Sequence, residues 1–279
     1  MSLKKIISLG HSPDADDAFM FYAITQNIIT SKKFEFEHII KDIQSLNKMA
    51  INKELDTTAV SANAYLKIQK DYRIMDCGAS MGDNYGPIVV SKEKIDITSS
   101  TKIGIPGKLT SAFLLLKLYC NDAEFIELDF DSVIPALEDG DIDAGLIIHE
   151  GQITYDDLGL KIILDIPKLW NDDCKFPMPL GLNVVRRDLE LEDQLEISQM
   201  IKSSIKYALT NIDEALDYSM KFGRGVSREI AKEFVLMYVN SDTLDINTRG
   251  INGLKFFYNR ALEKGLIDFE PKLDIITTS

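Results

Sequence analysis

Apolar and polar positions divide this chain into short strands and longer helices. Lys4 to Leu9 reads as a strand. Phe34-Glu-Phe-Glu-His38 alternates with period two, the pattern of a half-buried strand. Asp42 to Ala50 places apolar residues at 43, 46, 49 and 50, which predicts an amphipathic helix. Thr57 to Ser61 and Ile88 to Val90 are β-prone, and Ala62 to Ile68 is helical between them. Lys102 to Ile105 predicts a strand, Pro106-Gly-Lys108 a turn, and Thr110 to Leu118 a helix. Glu124 to Leu128 predicts a strand and Asp131 to Glu138 a helix stopped by Asp139-Gly-Asp141. The run Asp143-Ala-Gly-Leu-Ile-Ile-His149 is a short apolar strand that ends abruptly in a histidine. Leu160 to Leu164 and Leu180 to Val185 add strands, and Asp193 to Lys264 is helical, with breaks near Asn211, Gly223-Arg-Gly225 and Asn240-Ser241. Strands alternating with helices predict an α/β fold with parallel sheets.

The pattern echoes itself. An acid-led helix precedes a strand from Asp42 to Ser61 and again from Asp131 to His149. Two similar α/β lobes facing each other across a cleft would put both strand ends in one crevice, where open α/β sheets hold ligands. The expected boundaries are 1–96 plus 185–279 for lobe I and 97–184 for lobe II, with the C-terminal helices returning to lobe I.

Composition narrows the function. The 279 residues suffice for one large or two modest domains. A net charge of −13 without a basic stripe argues against nucleic acid and anionic membranes as partners, but leaves a small anionic substrate open. No apolar run is long enough to span a bilayer. The N-terminus lacks a signal-peptide core, so a cytoplasmic protein is expected. Cys77, Cys120 and Cys174 have no metal-ligand spacing and fit reduced thiols.

Three places could carry chemistry. At Pro106 to Ala112 a strand passes into a helix through small residues, which exposes amides to a carboxylate or phosphate; Thr110 reads as a helix cap, a ligand contact or both. Ser61, in Ala59-Val60-Ser61, reads either as a cap or as a contact to a substrate carboxylate or hydroxyl. His149 reads either as a hydrogen-bonded histidine at a strand end with no chemistry or, since no nucleophile elbow or metal-binding cluster surrounds it, as a base for proton abstraction. Glu150 reads as a partner that raises the basicity of the ring or as a solvated acid. Asp14, Asp16 and Asp17 read as helix-capping acids ahead of a magnesium site. His38 reads as a packed or surface residue. Arg186-Arg187 reads as a surface pair ahead of an anion site.

Taken in order, Ser12-Pro-Asp-Ala-Asp16-Asp17-Ala-Phe19, Ala59-Val-Ser61, Ile105-Pro-Gly-Lys-Leu-Thr-Ser-Ala112, Gly145-Leu-Ile-Ile-His149-Glu150 and Pro179-Leu-Gly-Leu182 resemble the 1,4-dihydroxy-6-naphthoate synthase family of menaquinone biosynthesis over most of the chain. The resemblance implies a two-lobed fold like the type II periplasmic binding proteins, with the site in the cleft between lobes. It implies a lyase of the futalosine route that releases the naphthoate from cyclic dehypoxanthine futalosine without metal or organic cofactor. His149 would be the base, and Ala59, Val60, Ser61, Ser111 and Ala112 would contact substrate, with Thr110 beside them. Where relatives commonly carry Ser-Pro-Cys-Pro-Asn-Asp-Thr-Phe, this chain has the acidic version preceded by His11, so His11, Ser12, Asp16 and Asp17 are candidate cleft residues and an altered substrate is open. A homodimer is among the assemblies expected. The competing readings are a small-anion solute-binding protein of the same fold, disfavoured by the missing signal peptide, and the sister enzyme chorismate dehydratase, disfavoured by the Gly-Leu-Ile-Ile-His-Glu run.

Overall fold

A computed structural model describes residues 4–149, 151–222 and 227–278. Glu150 and the expected break at Gly223-Arg-Gly225 lie outside the described residues. The described strands are β1 (Lys5–His11), β2 (Phe34–Ile40), β3 (Thr57–Ser61), β4 (Tyr72–Met75), β5 (Ser80–Gly82), β6 (Ile88–Ser91), β7 (Lys102–Ile105), β8 (Glu124–Glu127), β9 (Ala144–Ile147), β10 (Lys161–Asp165), β11 (Met178–Arg186) and β12 (Ile275–Ile276). The chain divides into two compact units. One comprises Met1–Met81, Gly181–Thr248 and Pro271–Ser279, and the other Gly82–Leu180 and Arg249–Glu270.

The first unit is built on a sheet ordered β12-β4-β11-β3-β1-β2, with β5 pairing β11 off this path. β1 runs parallel to β2 and β3, while β11 runs antiparallel to β3 and β4. The helix Ile43–Ile51 starts where the Asp42 carboxylate accepts the Ser45 amide at 2.9 Å, and it packs against β3. Phe19 and Phe21, together with Leu46 and Ile7, are fully buried. This places the aromatic run after the first turn in the core, as its helical spacing implies. The segment at the far end of the chain returns as β12, parallel to β4.

The second unit has a five-stranded sheet ordered β10-β6-β9-β7-β8. β7 is parallel to β8 and β9, whereas β6 is antiparallel to β9 and β10. Gly104 and Gly145 lie side by side on β7 and β9. A Cβ on Gly104 would sit 2.5 Å from Ile142 Cδ1, and one on Gly145 2.9 Å from Val133 Cγ1. Their bareness lets the helix Val133–Asp139 lie close on the sheet, over a core of Val133, Leu137, Ile142 and Ile147.

Several expectations need correction. The sheets are mixed, because β6 and β11 run against their neighbours. Ile88–Ser91, read into lobe I, is a strand of the second unit's sheet. The units divide at 81/82 and 180/181, beside expected boundaries of 96/97 and 184/185. The helix Thr248–Glu263, expected on lobe I, joins the second unit from Arg249 onward, where Gly253 lies against the Pro177 carbonyl and Phe256 meets Trp170 edge to face at 5.2 Å. Amphipathic spacing shows that a helix has a buried face; it does not say what covers that face.

Candidate functional site

In the second unit, two parallel neighbours deliver chemistry to one edge of the sheet. Ile103 and Gly104 of β7 run beside Ala144 and Gly145 of β9, so both strands finish on the same side. Adjacent strands lie about 5 Å apart. β7 leads through Pro106 and Gly107 to the helix Ser111–Tyr119, and β9 leads to His149. Gly107 has φ +142°, a left-handed value that a side chain would strain. Thr110 caps the helix: its hydroxyl donates to the Gly107 carbonyl at 2.8 Å and accepts the Phe113 amide at 3.1 Å. The Ser111 and Ala112 amides occupy the first two helical positions, which have no acceptor inside the helix. They sit at its positive end, the arrangement that receives carboxylates and phosphates. The Ser111 hydroxyl donates to the Leu180 carbonyl, so Ser111 offers this end its backbone.

His149 is held in the left-handed region at φ +56°, an uncommon conformation outside glycine but one in which histidine is enriched. Its ring meets Phe130 edge to face, with centroids 4.9 Å apart, and it is half-buried. The His149 carbonyl accepts the Gln152 amide at 3.1 Å, closing the turn into the helix Gly151–Thr154. The ring is therefore positioned by a defined turn and an aromatic neighbour. Departures of this kind from ordinary backbone geometry concentrate at functional sites.

In the first unit, Ser61 ends β3 and stands at the N-cap of the helix Ala62–Ile68, but its side chain makes no capping bond. That corrects the capping reading. Ser61 instead faces Asn47, which is fully buried: Asn47 Nδ2 donates to Ser61 Oγ at 3.0 Å, and Asn47 Oδ1 accepts the Ser61 amide at 2.9 Å. Val60 is fully buried and pairs with Leu182 of β11. Ala59 lies opposite Asn183 of β11, and Ser61 opposite Gly181. Asn183 is 2 % exposed, and its amide oxygen and nitrogen find no partner among the described residues.

β1 runs parallel to β3, so the turn after His11 lies on the same sheet edge as Ser61. Ser12, Asp14, Asp16 and Asp17 are all buried there. Asp14 stands at the N-cap of the helix Ala15–Met20 without a side-chain cap bond. The Asp17 carboxylate accepts the Ser12 amide at 2.6 Å, and the Ser12 hydroxyl accepts the Asp14 amide at 3.2 Å. The Asp17 carboxylate and the Asp14 backbone therefore help hold the turn, and Asp14 does not cap the helix with its side chain. Among the described residues no group of three histidines, cysteines or acids is placed to hold a metal ion.

His11 is buried, stacks on Phe21 at 5.0 Å and bonds His38, with Nε2 to Nδ1 at 3.1 Å. The pairing was missed because parallel register, not local pattern, brings the two together. Burial lowers the affinity of His11 for a proton, and the Ser12 carbonyl partly opposes this. Burial and the neighbouring His11 push His38 down to about 4. The Ser12 carbonyl can only accept, so His11 Nδ1 carries the proton. With both rings neutral, His11 Nε2 is the acceptor and His38 Nδ1 the donor.

The arginine pair is spoken for. Arg186 meets Asp56 at 3.1 Å and Asp188 at 2.5 Å, and Arg187 meets Asp274 at 2.5 Å and the Gln69 carbonyl at 3.1 Å.

Comparison with known proteins adds three findings. A family model described as Menaquinone biosynthesis matches residues 7–263. A Thermus thermophilus protein named 1,4-dihydroxy-6-naphtoate synthase is 31% identical over 266 residues, covering 95% of this chain and 97% of its own, and a Streptomyces coelicolor protein of the same name is 27% identical, covering 94% of each. Among solved structures, an Archaeoglobus fulgidus protein superposes with a TM-score of 0.91 at 48% identity, covering 94% of this chain and 98% of its own. The alkanesulfonate-binding protein SsuA of Xanthomonas axonopodis superposes with a TM-score of 0.70 at 11% identity, covering 99% of this chain and all of its own, a likeness of fold. The architecture is that of the periplasmic-binding-protein-like folds.

Proposed function

Starting from the premise that this chain belongs to the menaquinone biosynthesis family, we propose that it is a 1,4-dihydroxy-6-naphthoate synthase acting as a lyase on cyclic dehypoxanthine futalosine. The observation that supports the reading is the shared edge of β7 and β9, two parallel neighbours of which one leads to the helix Ser111–Tyr119 and the other to His149. The amides of Ser111 and Ala112 receive the substrate carboxylate, with Thr110 holding that helix end in shape. His149 takes a proton from the substrate. The electron pair left behind forms a new π bond as the bond to the sugar-derived fragment breaks, and the imidazolium returns the proton to the departing fragment. In the first unit the proposed contacts are Ala59, Val60 and Ser61, the last through its hydroxyl. The reaction uses no cofactor in this reading, and a cytoplasmic location goes with it.

The test is to incubate the purified protein with cyclic dehypoxanthine futalosine and follow dihydroxynaphthoate by chromatography. His149→Asn is expected to fold and to lose about 10²-fold or more in kcat, the usual weight of a general base. Product formation by His149→Asn at near the wild-type rate removes His149 from the chemistry. No product from wild type under conditions where the Thermus protein works removes the activity itself.

A further inference from the structure

We infer that Asn47 is a positioning residue for substrate binding, acting through Ser61; the inference deepens the proposed function and rests on it. The argument begins with what each atom can do. The Ser61 amide can only donate, so the Asn47 atom 2.9 Å away is its oxygen. That fixes the other end of the carboxamide as the NH2 group, which lies 3.0 Å from Ser61 Oγ and can only donate. The serine hydroxyl is therefore an acceptor here, and its own proton is left to point elsewhere. One side chain thus locks the backbone and side chain of Ser61 together and turns the hydroxyl into a donor for a third group.

The placement makes this more than packing. Ser61 closes β3 at the C-terminal sheet edge, the edge where ligands sit in open α/β sheets. A serine at a helix N-cap ordinarily turns its oxygen onto the helix amides. Ser61 does not, because Asn47 holds it away. Asn47 comes from the buried face of the helix Ile43–Ile51, is 0 % exposed, and spends both ends of its amide on this one residue. A serine held as a donor suits an acceptor oxygen on the ligand, a carboxylate or carbonyl.

The discriminating variant is Asn47→Asp. It keeps the shape and still accepts the Ser61 amide. Its second oxygen cannot donate, so the serine hydroxyl turns to donate to it, and the proton is withdrawn from the ligand. Asn47→Asp is expected to raise KM by about 10- to 100-fold, the worth of a hydrogen bond to a charged group, with kcat little changed. Ser61→Ala should raise KM by a similar factor, and the double variant should be no worse than the more affected single one. Asn47→Ser, which breaks the lock without introducing charge, gives the same cycle should the aspartate not fold.

Additive effects on KM, or an unchanged KM in a folded Asn47 variant, overturn the assignment. If wild type forms product while the cycle is additive, the assignment of Asn47 fails and the activity stands. If wild type forms no product, the activity fails, and the same cycle is read by calorimetric titration with 1,4-dihydroxy-6-naphthoate: non-additive losses of affinity support the role of Asn47, and additive losses or none end it.

Discussion

Asn47 and Asn183 are both buried in the first unit and have opposite hydrogen-bond fates. Asn47 satisfies both ends of its amide on Ser61, whereas Asn183 satisfies neither end among the described residues. A buried amide without a partner costs roughly 1–3 kcal/mol, and an apolar group of the same shape avoids that cost. Asn183→Leu is therefore expected to raise stability by about 1–2 kcal/mol, which thermal unfolding would read as a higher Tm; a fall in Tm would show that the amide has a stabilising partner. The residue types that could do chemistry were legible in the sequence: His149, Ser61, and the Thr110-Ser111-Ala112 mouth all stand at strand ends or helix starts. What each does locally was less legible. Thr110 caps and Ser61 does not, and only the position of Asn47 decides between them.

At the scale of elements, the Thr110 cap tests how strongly the helix mouth is built. Thr110→Ala removes the acceptor for the Phe113 amide and should cost about 1 kcal/mol of stability, with a larger effect on KM than on kcat if the amides of Ser111 and Ala112 bind substrate. Denaturant unfolding and steady-state kinetics on one preparation check both parts. Period-two and helical spacing found the central strands and most helices because each has one face in a core. Among the elements they missed are β4, β5, β12 and the helix Ile166–Asp173. Three of these are strands of four residues or fewer, too short to show a period. The helix is opened by Asp165 and Pro167, signals that the preceding apolar run conceals.

For the whole molecule, long-range closure decides behaviour in acid and at the chain end. His11 and His38 are kept neutral by burial in the fold, while unfolded histidines take up protons below about 6.5. The unfolded chain then binds more protons, so this contribution to stability is complete above 6.5 and is lost as pH falls toward 4. His38→Gln should flatten the fall of Tm across that window; an unchanged slope would mean the pair does not set it. The C-terminal segment supplies β12 to the β4 edge, and Thr278 gives its amide and hydroxyl to the buried Asp76 at 2.8 and 2.9 Å. Removing residues 271–279 should therefore lower Tm by about 4 °C or more, a loss of more than about 2 kcal/mol. None of this was readable from spacing. The α/β class followed from alternation, but the run of the chain between units and the antiparallel β6 and β11 depend on pairings far apart in sequence.

β2 closes the seven-stranded sheet on one side, and its outward Glu35 and Glu37 stand exposed along that border. Carboxylates there act as a guard: two copies approaching border to border would bring like charges into register before any ladder could form. Concentrated stocks should therefore stay dispersed at neutral pH. Replacing Glu35 and Glu37 with glutamine should make such stocks cluster at neutral pH, which light scattering would detect; scattering equal to wild type would remove the guard.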